Sequence, residues 1–252
     1  LLQGMAAAGV QPYILGAGTN ILAPDEGLDA PVICLKDALT GTRLLDGARM
    51  EVFAGESLAK TAVFAKNHAL TGLEFAHGIP GTLGGGVYMN AGAYGGELRQ
   101  VVRQVTFLHA DGRLETFENG DCAFGYRTSV YKDHPQWVAL SADMQLKSGD
   151  PAEIKAKMDD FSQRRRDKQP LNYPSAGSTF KRPEGYFAGK LIQDAGLMGY
   201  AVGGAQVSEK HAGFVINRGG ATCADVLALI DHVREEVWRQ FGVELEPEVR
   251  LL

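Results

Sequence analysis

Nine glycines fall within the 25 residues from Gly72 to Gly96, and no other stretch limits the possible folds as much. Glycine loses more conformational freedom on folding than any other residue, so this density disfavours helix and strand interiors. It suits loops whose backbone comes very close to something else, such as another chain segment or a flat or multiply charged ligand. The segment reads His77-Gly78-Ile79-Pro80-Gly81-Thr82-Leu83-Gly84-Gly85-Gly86, then Asn90-Ala91-Gly92-Ala93-Tyr94-Gly95-Gly96. Ligand binding is the favoured reading, and a purely structural crossover is the alternative. The excess is local: the chain has 32 glycines in 252 residues, where ordinary usage gives roughly 18, and there is no collagen-like period.

A shorter glycine loop, Gly16-Ala17-Gly18-Thr19-Asn20, follows the apolar run 13–15. Its amides can approach a diphosphate, though an ordinary tight turn reads the same way. It is no dinucleotide fingerprint, because Ile21 stands where the third glycine belongs. A Walker phosphate loop is also absent: Gly185…Gly189-Lys190 is one residue short and continues with Leu191.

Composition excludes several classes. With 45% hydrophobic and 22% charged residues, the chain is ordinary globular material. A net charge of −5 gives no broad basic field for nucleic acid. No apolar run approaches the roughly 20 residues of a membrane span. Cys34, Cys122 and Cys223 are far apart and odd in number, which fits a reducing, cytoplasmic setting and no CxxC site. The six histidines show no HExxH spacing, so no metal is expected. No signal peptide is expected either. Because the chain opens on Leu1 in what reads as mid-unit, residues are expected to precede it.

The elements read as α+β rather than a regular βαβ alternation. Residues 1–10 suggest a short helix with Leu2, Met5 and Ala6 on one side. Strand-like runs recur at 32–35, 50–54, 102–108, 114–117 and 137–146, and His109-Ala110-Asp111-Gly112-Arg113 signals a hairpin. A helix is predicted over 57–68, and a polar one over 151–168, broken at Gln169-Pro170. Thr222 and Asp225 resemble a capping box opening a helix over 222–240, with Val226, Leu227, Ile230, Val233, Val237 and Phe241 as its stripe. The tail alternates, with Val243, Leu245, Val249 and Leu251 on one face and Glu244, Glu246, Glu248 and Arg250 on the other. Pro247 makes it an edge strand or bulge. The expected organisation is a first domain over 1–150, a connecting helix over 151–169 and a second domain over 170–252.

Three further residues could carry chemistry. Arg127 sits among aromatic and hydroxyl residues in Phe124-Gly125-Tyr126-Arg127-Thr128-Ser129. It reads as a surface salt bridge or as a guanidinium facing an anionic substrate or developing enolate. Ser178, in Pro174-Ser175-Ala176-Gly177-Ser178-Thr179, lacks a GxSxG elbow and reads as a turn serine unless a partner activates it. Glu248 reads first as part of a solvated strand face.

In order along the chain, these segments are Gly16 to Asn20, His77 to Gly96, Phe124 to Lys132, Pro174 to Pro183, Ala188-Gly189-Lys190-Leu191-Ile192-Gln193-Asp194-Ala195-Gly196-Leu197, Lys210-His211-Ala212-Gly213-Phe214-Val215-Ile216-Asn217 and Leu245-Glu246-Pro247-Glu248-Val249-Arg250. Together they closely resemble the UDP-N-acetylenolpyruvoylglucosamine reductase (MurB) family over essentially the whole chain. The resemblance implies an FAD-binding domain of the PCMH/vanillyl-alcohol-oxidase type, then a smaller α+β C-terminal substrate domain. It implies non-covalent FAD, NADPH as hydride donor, and a UDP-sugar whose enolpyruvyl group is reduced to the lactyl ether during peptidoglycan precursor synthesis in the cytoplasm. A monomer is favoured, with neither nucleic acid nor membrane as partner.

By residue, the resemblance assigns Arg127 and Glu248 to charge stabilisation and Ser178 to proton donation. It assigns Gly16, Ala17, Gly18, Thr19, Asn20, Gly78, Ile79, Pro80, Gly81 and Thr82 to the FAD diphosphate. Gly84, Gly85, Asn90, Ala91 and Gly92 lie near the cofactor, and Tyr126, Arg182 and Lys190 near the sugar nucleotide. The short spacing from Arg127 to Ser178 resembles the branch lacking an extra tyrosine-bearing loop. Family members usually carry a further N-terminal segment that helps hold FAD. Another flavoprotein of the same superfamily and a non-catalytic nucleotide-binding fragment are the competing readings.

Overall fold

A computed structural model describes residues 1–252. The chain forms two compact units, one of Leu1–Gly18 with Ala30–Arg164, the other of Thr19–Asp29 with Arg165–Leu252.

The first unit is built on a five-stranded antiparallel sheet. Its order is Leu114–Glu118, Val102–Leu108, Val138–Gln145, Arg49–Phe53 and Thr42–Leu44. Successive side chains of a strand point to opposite faces, and here alternate residues of Arg49–Phe53 are buried. Met50 pairs with Met144 and Val52 with Ala142, all essentially inaccessible to solvent. The hairpin at 109–113 forms, with the His109 amide donating to the Arg113 carbonyl. Tyr13–Leu15 pairs in parallel with Val32–Cys34 outside this sheet.

Helix α1 (Leu2–Ala7) buries none of its residues. Helix α2 (Leu58–Asn67) starts at Ser57, whose side chain accepts from the Lys60 amide, and buries Leu58, Ala62 and Ala65. Helix α3 (Leu83–Tyr88) is short and holds three of the clustered glycines. Gly86 serves close packing: a Cβ there would lie 2.9 Å from a Leu98 methyl and 3.2 Å from one of Leu58. Helix α4 (Pro151–Lys168) carries the basic run in its last turn, where cations favour the helix dipole.

The second unit has its own apolar core. Helix α5 (Ala188–Asp194) and helix α6 (Cys223–Phe241) supply Leu191, Ile192, Leu229, Ile230, Val233 and Val237 to it. A three-stranded antiparallel sheet, Ala201–Val202, Ala205–Val207 and Val215–Asn217, completes it. The expected capping box is present: Thr222 accepts from the Asp225 amide and Asp225 accepts from the Thr222 amide. Asp25 adds a second cap, accepting from the amides of Cys223 at 2.7 Å and Ala224 at 3.1 Å.

Two expectations need correction. Leu227 and Phe241 lie on the exposed side of α6, while Leu229 is fully buried, so the stripe turns by about one residue. The tail is not one alternating strand: only Arg250–Leu251 is strand, parallel to Ile21–Leu22, and Leu251 is exposed. Pro247 instead bridges Phe180. The flanking bonds run from the Lys181 amide to the Glu246 carbonyl and from the Glu248 amide to the Thr179 carbonyl. Position 247 therefore has no ladder bond to donate, which is where proline is tolerated. No helix is long and apolar enough to cross a membrane.

Asp225 gives the second unit an acid dependence. Hydrogen bonds from the Thr222 and Gly204 amides hold its carboxyl below the usual value. A depressed folded-state pKa adds stability above the unfolded value of about 3.9, and that stability is lost as pH falls through the folded value. Asp225→Asn is expected to lower the melting temperature at neutral pH. The gap from wild type should close below about pH 4, as read by calorimetry across pH.

Candidate active site

The first unit brings two of the glycine loops together. Gly16 backs directly onto Thr82, so a Cβ at 16 would overlap Thr82 Oγ1. Thr82 is buried, caps α3 and accepts from the Gly85 amide. Gly18 takes φ +67° and Gly81 φ +143°, conformations that L side chains resist. The amides of Ala17, Gly18, Gly81 and Thr82 donate to no protein acceptor. Unpaired amides on two adjoining tight turns can cradle an anion. This arrangement fits a diphosphate group. Gly78 and Ile79 are half-buried and Pro80 exposed on the same loop; Gly84 packs 3.1 Å (Cβ position) from Ala54, and Gly85 is exposed.

Arg127 lies in the first unit, on a turn closed by the Gly125 amide donating to the Thr128 carbonyl at 3.0 Å. Its φ is +55°, uncommon for a residue with a side chain. Its guanidinium donates from Nη2 to the Gly92 carbonyl at 3.1 Å and lies 5.1 Å from the Tyr126 ring centre. Tyr126 is exposed. Asn90 is fully buried, and its side chain is committed to protein partners; the Asn90 and Ala91 amides donate to the Val87 and Gly86 carbonyls, and the Ala91 carbonyl accepts from the Leu98 amide.

Ser178 and Glu248 lie in the second unit, on segments placed side by side. Ser178 is exposed and precedes Thr179, whose amide donates to the Gly213 carbonyl at 2.8 Å and whose carbonyl accepts from the Glu248 amide at 2.8 Å. Buried Thr179 Oγ1 also accepts from the Val215 amide at 2.9 Å. Glu248 is half-buried, and its carbonyl accepts from Asn20 Nδ2 at 3.1 Å. Thr19 and Asn20 thus fall in this unit, with the Asn20 carbonyl also accepting from the Arg250 amide.

Sequence reasoning passed over His211, which supports the same segment. Its Nδ1 accepts from the Gly213 amide at 3.1 Å. Burial, with the charge of Lys168 adding to it, pushes the imidazole pKa below its ordinary value. A neutral ring suits an accepting Nδ1. Gly213 links the two, its amide donating to His211 and its carbonyl accepting from the Thr179 amide, a relation that only the folded chain creates. Arg182 stacks on exposed Phe187, 3.9 Å from the ring centre, and donates to the Tyr186 carbonyl. Lys190 pairs with Asp194 one helical turn on.

The comparisons with known proteins match this arrangement. Residues 1–118 match the model of an FAD binding domain. Residues 169–252 match that of the UDP-N-acetylenolpyruvoylglucosamine reductase C-terminal domain. The chain is 49% identical over 240 residues to the UDP-N-acetylenolpyruvoylglucosamine reductase of Caldanaerobacter subterraneus subsp. tengcongensis, covering 95% of this chain and 78% of that one. It is 50% identical over 242 residues to the enzyme of the same name from Lachnoclostridium phytofermentans, with the same coverage. The crystal structure of the reductase from Thermus caldophilus superposes with a TM-score of 0.84 at 33% identity, covering 98% of this chain and 87% of that one. The fold is therefore an FAD-binding domain of the PCMH/vanillyl-alcohol-oxidase type followed by a smaller α+β domain, and the chain belongs to the UDP-N-acetylenolpyruvoylglucosamine reductase (MurB) family of oxidoreductases.

Proposed function

We propose that this chain catalyses the NADPH-dependent reduction of UDP-N-acetylglucosamine enolpyruvate to UDP-N-acetylmuramate, in the cytoplasm, as a step of peptidoglycan precursor synthesis. The observation that supports this most is near 50% identity to named reductases across 95% of the chain, and the chain carries Arg127, Ser178 and Glu248 in the motifs that resemble the family. FAD, when held by the first unit, would supply the hydride chemistry, with NADPH as the source of the hydride and the enolpyruvyl double bond as its acceptor.

The chain's own residues then have two tasks. Hydride addition to an enol ether conjugated with a carboxylate leaves an enolate-like species with extra negative charge, which needs fixed donors aimed at that carboxylate. Arg127, with its forked guanidinium, serves there, and Glu248 assists in a protonated or proton-sharing state. Saturation needs one proton at the remaining carbon. Ser178 donates it, and its exposed position leaves it open to reprotonation from water. Gly16, Ala17, Gly18, Gly81 and Thr82 hold the FAD diphosphate through their amides, while Tyr126, Arg182 and Lys190 meet the sugar nucleotide.

Gly16→Ala tests the diphosphate cradle. Its added methyl displaces Thr82, so FAD affinity is expected to fall at least about tenfold with little change in secondary structure; flavin fluorescence titration reads this. For the reaction itself, purified chain with FAD should oxidise NADPH beyond one equivalent per flavin only when the enolpyruvyl sugar is present, with mass spectrometry showing product two hydrogens heavier. NADPH oxidation insensitive to that sugar would count against the proposal.

A further inference from the structure

We propose that Asn90 is a positioning residue for Arg127, holding the arginine turn in its working geometry through its side-chain amide. The inference rests on the role given to Arg127 above. Asn90 follows α3, is wholly inaccessible to solvent and takes φ +42°. A buried asparagine amide must find partners for both ends or cost stability. Here Nδ2 donates to the Gly125 carbonyl at 2.9 Å and to Glu97 Oε2 at 3.1 Å, while Oδ1 accepts from the Arg99 amide at 2.9 Å. The donors face oxygens and the acceptor faces an N–H, so the amide's orientation is fixed.

Gly125 opens the turn that carries Arg127. With φ at +55°, Arg127 holds a conformation a non-glycine residue keeps only when its surroundings impose it. Three alternate residues of one segment impose it. The Tyr88 carbonyl accepts from buried Ser129 Oγ at 2.9 Å, Asn90 grips Gly125, and the Gly92 carbonyl accepts from Arg127 Nη2. The start of the turn, its end and the guanidinium are each tied to residues 88–92.

Asn90→Asp keeps the shape but removes both donors and sets a carboxylate against Glu97 and a carbonyl. The test measures the two half-reactions without oxygen, following flavin absorbance, with flavin content and melting temperature recorded alongside. Misplacing a reacting group by about 1 Å can cost ~100-fold. The enolpyruvyl half-reaction of Asn90→Asp is therefore expected to slow ~10- to ~100-fold, while reduction by NADPH changes less than about twofold. Lowering the pH should restore part of the rate in Asn90→Asp and not in wild type, because a protonated aspartate regains a donor for Gly125.

Ser129→Ala loosens the other end of the turn and is expected to slow the same half-reaction about threefold. If Asn90→Asp fails to fold or to hold FAD, Ser129→Ala decides, and an unchanged rate overturns the proposal. Equal slowing of both half-reactions, or of neither, in Asn90→Asp also overturns it. Arg127→Ala separates the two ideas. If it leaves the enolpyruvyl half-reaction intact, the role of Arg127 is wrong; if it abolishes that half-reaction and Asn90→Asp does not, positioning alone is wrong.

Discussion

Ser178→Ala is expected to slow the enolpyruvyl half-reaction by ~10²- to ~10⁴-fold, the range a positioned proton donor contributes. The loop itself should not move. Its register is held by Thr179, through the Gly213 carbonyl, the Val215 amide and the Glu248 amide, and none of these bonds involves the Ser178 hydroxyl. Flavin reduction by NADPH needs no proton at the substrate carbon, so it should stay within about twofold. Rapid-mixing absorbance without oxygen measures both steps separately. Equal loss in the two half-reactions would refute the proton-donor role. A Cys in place of Ala offers a stronger acid of similar shape, so Ser178→Cys should recover part of the lost rate and shift its pH profile downward.

Arg127→Ala is expected to damage binding and catalysis together. The guanidinium meets a carboxylate in the bound substrate and a more negative species once hydride has added, so part of its contribution is uniform and part appears only in the transition state. Removing one preorganised donor of this kind costs ~10²- to ~10³-fold in kcat, with KM for the enolpyruvyl sugar rising as well. Arg127→Lys keeps the charge but loses the fork and the reach to Gly92, so it should recover KM better than kcat. Steady-state kinetics with varied sugar at saturating NADPH separates the two. A variant with raised KM and unchanged kcat would reduce Arg127 to a binding residue.

How far the sequence reveals this molecule depends on how local each signal is. Helix α2 and its Ser57 cap, α4 ending before Gln169-Pro170, and the Thr222–Asp225 capping box of α6 all lie within a few residues of their cause. The 109–113 hairpin is likewise self-contained. The sheet of the second unit is harder to read, because its strands run two or three residues, too few for alternation to register. Helix α5 has no side-chain cap to announce it. Ile21–Leu22 joins the second unit by pairing with Arg250–Leu251, and nothing near residue 21 signals a partner at the far end of the chain.

The same logic applies to the candidate site. The glycine loops are legible as composition, because close approach of the backbone to other groups demands glycine locally. What Asn90 does was not visible, since its partners Gly125, Glu97 and Arg99 are joined to it only by the folded backbone. Ser178 and Glu248 each looked unremarkable alone. The bond from the Glu248 amide to the Thr179 carbonyl sets their segments side by side, an arrangement that residue types alone do not encode.

The most direct test of the central claim is an anaerobic absorbance titration of the purified chain. FAD is added first, NADPH second and UDP-N-acetylglucosamine enolpyruvate third. The account predicts a protein-bound flavin spectrum that bleaches with NADPH and returns in full with one equivalent of the enolpyruvyl sugar. Bleaching that the sugar fails to reverse, or a chain that binds no flavin at all, would contradict it.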